Sequence, residues 1–88
     1  MKMILAILRD EDNEKVSAGL LSEGFRVTRI ASTGGWLRRG NTTLLIGLED
    51  EKVDAAFQIV RSNLSPAEGA DSHRATLFVL NIANYEHL

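Results

Sequence analysis

The sequence contains no cysteine in its 88 residues, which excludes a disulfide scaffold, a thiolate zinc site and a cysteine nucleophile. It also lacks a long hydrophobic run. The apolar stretch 3–8 is too short to span a bilayer, and the cleavage site of a secretory signal does not follow it. The net charge of −2 argues against wrapping a nucleic acid polymer. We therefore expect a cytoplasmic protein whose partners include neither a membrane nor a nucleic acid polymer.

The rest of the composition is that of an ordinary soluble chain. Hydrophobic residues make up 44% and charged residues 25%, both close to the average for globular proteins. A chain of this length supports one small hydrophobic core. We therefore predict a single domain over residues 1–88.

Positive charge is concentrated in one part of the sequence. The stretch 24–48 holds none of the twelve acidic residues, but it holds four of the ten basic ones and the single tryptophan. These arginines lie at positions 26, 29, 38 and 39. Basic groups beside polar, glycine-bearing sequence and an indole suit an anionic ligand with a flat ring, and a nucleotide meets both requirements.

The hydrophobic periodicity predicts the order βαββαβ. The run 3–8 and the β-branched segments 25–30, 42–48 and 75–82 indicate strands. A helix is predicted over 12–23, stopped by Gly24. A second helix, capped by Asp50, shows an apolar stripe at helical spacing. The stripe consists of Val53, Ala56, Phe57, Val60 and Leu64.

This order predicts an α+β, ferredoxin-like sandwich with both helices on one face of the sheet. The first strand is apolar on both of its faces, because Ile4, Ala6 and Leu8 alternate with Leu5 and Ile7. Apolar surface on the uncovered face must then meet solvent or another subunit. We expect association for so small a chain.

Arg26 and Thr28 are the first candidate ligand contacts. In a strand, residues i and i+2 project side by side, so a guanidinium and a hydroxyl would face the same phosphate. Arg38 and Arg39, in the loop 32–41, are more simply interpreted as solvent-exposed surface charges.

Three residues of that loop, and Gly47 in the strand that follows it, each allow two interpretations. Gly35 belongs to a glycine pair that is either a tight turn or part of a binding loop. Trp36 either packs against a neighbouring subunit or stacks on a base. Asn41 either favours a turn next to Gly40 or hydrogen-bonds a base through its side-chain amide. Gly47 indicates either a β-bulge or a close approach to the backbone.

The sequence shows no catalytic constellation and no metal site. No serine lies in a nucleophile elbow. His73 and His87 have only Asp71 and Glu86 beside them, so exposed histidines are the simpler interpretation. We therefore expect a non-enzymatic protein without a cofactor.

Taken together, the ordered motifs of the chain resemble the PII-like cyclic-di-AMP receptor family of bacteria. The motifs are Gly24-Phe25-Arg26-Val27-Thr28, Thr33-Gly34-Gly35-Trp36-Leu37-Arg38, Gly40-Asn41-Thr42-Thr43, Ile46-Gly47, Asp50-Glu51-Lys52-Val53-Asp54 and Ala75-Thr76-Leu77-Phe78-Val79-Leu80. The resemblance implies a PII-like homotrimer that binds cyclic di-AMP between subunits and signals to a downstream protein.

The resemblance also implies roles for individual residues. Arg26 and Thr28 would serve the phosphate and ribose. Gly35, Trp36 and Leu37 would shape the adenine pocket. Asn41 would hydrogen-bond the ligand, Gly47 would admit it to the backbone, and Phe78 would line the pocket.

Three departures from the family pattern are visible. Trp36 stands where the family usually has phenylalanine, and His87 stands near a usual glutamine. The loop before the last strand, 65–74, is much shorter than usual. These departures keep open a PII-like protein for another nucleotide, such as ATP or ADP, and a structural trimer whose pocket has decayed.

Overall fold

A computed structural model describes residues 1–31, 40–66, 74–84, 86 and 88 of the chain. The elements follow the predicted order βαββαβ. Their bounds are β1 Lys2–Arg9, α1 Asp10–Ser22, β2 Arg26–Ala31, β3 Asn41–Leu48, a 3₁₀ turn Asp50–Lys52, α2 Val53–Ser62 and β4 Ala75–Asn81.

The four strands form one antiparallel sheet in the order β2-β3-β1-β4. Strand β3 therefore lies between β1 and β2, which are joined by helix α1. This is the split βαβ arrangement of a ferredoxin-like fold, and the predicted fold class is confirmed. The register places Ile4 opposite both Ile46 and Val79, in the centre of the sheet.

The core lies between the sheet and the two helices. Ile4, Ala6 and Leu8 of β1 are fully buried, so the even-numbered face of this strand is the helix face. The predicted α2 stripe is confirmed except that Leu64 lies past the end of the helix at Ser62. Ala56 and Val60 are buried, and the other stripe residues are partly buried against the same cluster. Each fully buried valine, leucine or isoleucine side chain contributes about 1.5–3 kcal/mol.

Helix α1 starts two residues earlier than predicted, at Asp10, because its acidic first turn favours the positive end of the helix dipole. The predicted stop at Gly24 is confirmed. Gly24 has φ +86, a conformation that L-residues rarely adopt. Its N–H donates to the Leu21 carbonyl, and the Phe25 N–H donates to the Leu20 carbonyl, both at 3.0 Å. This pair of bonds is a Schellman motif.

The predicted cap at Asp50 is wrong. The extended residue before the 3₁₀ turn is Glu49, and it makes no side-chain capping bond. Asp50 is already the first residue of the turn, and its carboxylate lies 3.2 Å from the Met1 ammonium. An ion pair with the start of β1 has replaced the local capping bond that the sequence suggested.

The strands differ from the sequence expectations at three points. Arg26 is the first residue of β2 rather than a mid-strand residue, because the chain leaves the Gly24 turn only at that point. Gly47 is not a bulge, since it pairs in unbroken register with Met3 on one side and with Arg26 on the other. The strand β4 ends at Asn81, one residue earlier than predicted.

Within the described residues, no helix is both long enough and apolar enough to cross a membrane.

Candidate functional site

The face of the sheet opposite the helices, here called the open face, carries the odd-numbered residues of β1 and β3 and the even-numbered residues of β2 and β4. Arg26 and Thr28 lie on this face, whereas Val27 lies on the helix face with Ile46. The predicted alternation of β2 is therefore confirmed. It sets the guanidinium-bearing residue and the hydroxyl on one side of the sheet.

Much of the open face is apolar and exposed. Phe78 is 51% exposed, Leu80 41% and Ile30 45%. Met3, Leu5 and Ile7 of β1 are half-buried on the same face. The expectation that β1 would present apolar residues on both faces is confirmed. Apolar side chains exposed together on one face of a sheet are typical of an interface.

At one end of the open face the structure contains a concavity of about 720 Å³. This volume lies in the range of small-molecule sites. Three predicted ligand residues, Arg26, Thr28 and Gly47, line it together. Among the described residues, the lining consists of Met1, Lys2, Met3, Arg26, Thr28, Leu45, Gly47, Ile82 and Asn84. This described lining combines apolar residues with cationic and neutral polar ones and includes no acidic residue.

Gly47 gives this concavity part of its depth. A Cβ at position 47 would stand 3.5 Å from the Met1 methyl carbon, which is ordinary van der Waals contact rather than a clash. Because φ at Gly47 is not in the left-handed region, the backbone does not require glycine. The missing side chain therefore leaves room for a ligand to approach the strand.

Asn41 lies at the opposite end of β3 from Gly47. With about 3.3 Å per strand residue, the two Cα atoms are about 20 Å apart. The structure therefore does not bring Asn41 to the concavity of its own protomer. Phe78 lies mid-strand on the open face, opposite Leu5, and does not line the concavity. Gly35, Trp36 and Leu37 lie outside the described residues.

The residues around Asn41 form a tight polar corner. The Asp10 N–H donates to the Gly40 carbonyl at 2.7 Å, and the Thr42 hydroxyl donates to the Asp10 carboxylate. Gly40 itself has φ +85. The start of β3 is thereby fastened to the start of α1.

Next to this corner is a buried ionic network that sequence reasoning missed. The Asp12 side chain is completely buried. Its carboxylate accepts hydrogen bonds from the Ser65 hydroxyl at 2.5 Å and the Ser65 N–H at 3.0 Å, and it pairs with Arg9 at 3.1 Å. Arg9 also donates to the carbonyls of Ser65, at 2.7 Å, and Pro66, at 3.4 Å. The network attaches the segment after α2 to the β1–α1 junction.

The pKa of Asp12 reflects two opposing effects. Burial disfavours the charged carboxylate and raises the pKa, but the hydrogen bonds from Ser65 and the charge of Arg9 lower it. The stabilising contacts prevail, and the pKa of Asp12 lies below its ordinary value. The carboxylate is therefore held ionised at neutral pH.

Several lining residues of the concavity were also missed. Met3, Leu45 and Ile82 form its apolar part, and Asn84 contributes a carboxamide from the segment after β4. The period-2 alternation of the strands was the available signal for Met3 and Leu45, because it places them on the same face as Arg26. Nothing local in the sequence marks Ile82 or Asn84.

The described part of the chain holds no group of three or more histidine, aspartate or glutamate side chains that could hold a metal ion. His73 and His87, the two histidines considered above, lie outside it.

The fold defines a small ferredoxin-like α+β protein, and its open sheet face carries a concavity lined in part by cationic residues. Comparison with protein families matches residues 1–69 to the cyclic-di-AMP receptor family. Because the match covers most of the 88 residues, the chain belongs to that family. The resemblance drawn from the sequence motifs is confirmed.

The chain is also similar to a solved structure, described as the crystal structure of a functionally unknown protein from Pediococcus pentosaceus ATCC 25745. The two chains are 29% identical, with a TM-score of 0.81, over 99% of this chain and 96% of the other. Because nearly all of both chains aligns, the neighbour has no long segment without a counterpart here. A connection of this length between α2 and β4 is therefore compatible with the fold.

Proposed function

We propose that this protein is a non-enzymatic PII-like signal receptor that binds cyclic di-AMP between the subunits of a homotrimer. The observation that carries the proposal is the convergence of Arg26, Thr28 and Gly47 on one concavity. Arg26 and Thr28 belong to one motif, whereas Gly47 lies 19 positions after Thr28 in another, and strand pairing brings the two motifs together. Membership of the cyclic-di-AMP receptor family supports the choice of ligand.

In this proposal each group has a stated role. The Arg26 guanidinium neutralises a phosphate, for which its planar donor geometry is suited. The Thr28 hydroxyl, one strand repeat away on the same face, hydrogen-bonds the adjacent phosphate or ribose oxygen. Gly47 leaves the β3 backbone accessible to the ligand. No step of covalent chemistry is involved.

Two features of the open face support subunit association in this proposal. Its exposed apolar residues, including Phe78 and Leu80, need a covering surface. In addition, the concavity is only partly enclosed, and in this proposal a neighbouring subunit would complete the enclosure of cyclic di-AMP. Ligand that bridges two subunits would shift the population of subunit arrangements and so change the surface offered to a downstream protein.

Calorimetric titration with cyclic di-AMP, with cyclic di-GMP as control, tests the ligand, and light scattering of the eluted protein tests the trimer. We expect saturable binding of cyclic di-AMP by a species of three times the monomer mass. Stronger binding of ATP or ADP in the same titration would assign the site to a different nucleotide. Binding of none of these ligands by an intact trimer would indicate a structural role and reject the receptor proposal.

A further inference from the structure

We propose that Asn84 is a specificity-determining residue of this site, which reads the adenine base through its side-chain carboxamide. The inference rests on the proposed function, because it assumes that cyclic di-AMP occupies the concavity. It adds a contact that the family motifs do not include, from a part of the chain beyond the region matched to the family.

Among the polar lining residues that the structure describes, Asn84 has a distinct chemistry. Lys2 and Arg26 can only donate hydrogen bonds, and Thr28 presents a single hydroxyl oxygen. A carboxamide presents a donor and an acceptor side by side in one plane. Asparagine therefore pairs with the N6 amino group and N7 of adenine, whereas guanine offers acceptors at both corresponding positions. Of these four residues, Asn84 is best suited to distinguish the two purines.

The position of Asn84 is defined by contacts on the segment that carries it. The Ile82 N–H donates to the Met1 carbonyl at 3.0 Å, and the Lys2 ammonium donates to the Asn81 carboxamide. The first bond continues the pairing of β4 with β1 past the end of the strand, and the second joins the side chains of the last registered pair. They hold the segment against the concavity, of which Ile82 and Asn84 form one wall.

The opposite wall is formed by β2. Three strand spacings separate β2 from β4 in the sheet, or about 14 Å. A ligand with a phosphate at Arg26 can therefore extend an adenine toward Asn84. The carboxamide of Asn41 cannot perform this task in the same protomer, because it lies about 20 Å along β3 from Gly47.

A chemical double-mutant cycle tests the contact. Wild type and Asn84→Ala are each titrated with cyclic di-AMP and with its 7-deaza analogue, in which a C–H group replaces N7. We expect the N84A substitution to weaken cyclic di-AMP binding about tenfold and the analogue to bind wild type about tenfold more weakly. The N84A variant should bind both ligands equally. Gln58→Ala, an exposed carboxamide on α2 outside the concavity, should behave like wild type.

The outcomes separate the two proposals. If wild type binds cyclic di-AMP but N84A still distinguishes it from the 7-deaza analogue, Asn84 does not read N7 and the inference is overturned while the receptor function stands. If wild type binds neither ligand, both proposals fail. Asn84→Asp provides a second check, because it keeps the side-chain shape but loses the donor to N7. Full affinity of N84D for cyclic di-AMP would also overturn the inference.

Discussion

Arg26 and Gly47 are directly opposite each other on the neighbouring strands β2 and β3. The pairing puts a cationic residue beside a position that has no side chain, and both border the same concavity. Arg26, whose guanidinium could bind a phosphate, therefore lies beside Gly47, where a ligand could approach the backbone.

Removing the guanidinium tests the phosphate role directly. We expect Arg26→Ala to weaken cyclic di-AMP binding roughly tenfold or more, since a hydrogen bond to a charged group contributes about 1.5–3 kcal/mol. The trimer should remain intact. Arg29→Ala is a matched control, because Arg29 lies on the same strand but on the helix face. Equal affinities of wild type and R26A in calorimetric titration would remove Arg26 from the site.

Subunit mixing tests whether Asn41 contributes to a neighbouring subunit's site. Because Asn41 and Gly47 are about 20 Å apart along one strand, we expect both to contact one ligand only if they come from different protomers. Arg26→Ala and Asn41→Ala should each weaken binding when assembled alone. Trimers refolded from a mixture of the two should regain high-affinity sites where an intact Arg26 meets an intact Asn41. No recovery in calorimetric titration of the mixture would count against a shared site.

Two glycine substitutions should have opposite effects. Gly47→Ala places a methyl group in ordinary contact with Met1, so we expect the melting temperature to change little and ligand affinity to fall. Gly24→Ala meets no atom within 4 Å but lies at φ +86. We expect it to cost about 1–2 kcal/mol of unfolding free energy, with ligand affinity unchanged. If Gly47 does not border the ligand, titrations would show unchanged affinity for Gly47→Ala. If Gly24 is not a strained position, thermal melts would show unchanged stability for Gly24→Ala.

A charge on the open face should prevent assembly. Leu80, on the open face of β4, is 41% exposed in the single chain. We expect Leu80→Glu to yield a folded monomer, because a buried unpaired carboxylate would oppose subunit contact. Leu21→Glu is the control, since Leu21 is 58% exposed on helix α1. Light scattering that finds an unchanged mass for L80E would place the subunit contact elsewhere.

The buried Asp12 predicts a specific pH dependence. Its folded-state pKa lies below its ordinary value of about 3.8, so ionised Asp12 stabilises the fold above that pH. This stability is lost as pH falls through the folded-state pKa. We expect Asp12→Asn to lower the unfolding free energy by about 1–3 kcal/mol at pH 7, and by less at pH 3. Melting curves by circular dichroism would disagree with this account if the difference stayed constant between the two pH values.

The fold could be predicted because its signals are local. Alternating apolar residues marked the strands, and the stripe that includes Ala56 and Val60 marked the second helix. The errors occurred where a distant contact decided the outcome. Asp50 looks like a helix cap in sequence, but it pairs with the first residue of the chain. Asp12 looks like a solvated first-turn acid, but its partner Ser65 lies 53 residues away.

The candidate site was predicted only in part, because some of its residues follow from local signals and others depend on distant contacts. Arg26 and Thr28 follow from strand alternation, and the register then brings Gly47 beside them. Asn41 is close to Gly47 in sequence, yet an extended strand carries it to the other end of the sheet. Asn84 is distant in sequence and reaches the concavity only through the pairing of β4 with β1. Distances across a sheet depend on register, which a single sequence does not specify.

The junction of β1 and α1 holds two separate connections of the chain together. The Arg9 guanidinium donates to the Pro66 carbonyl, past the end of α2, and the Asp10 N–H donates to the Gly40 carbonyl, where the chain enters β3. Because Arg9 and Asp10 are neighbours in sequence, the entry to β3 and the exit from α2 are anchored side by side. A substitution at this junction would therefore affect both connections.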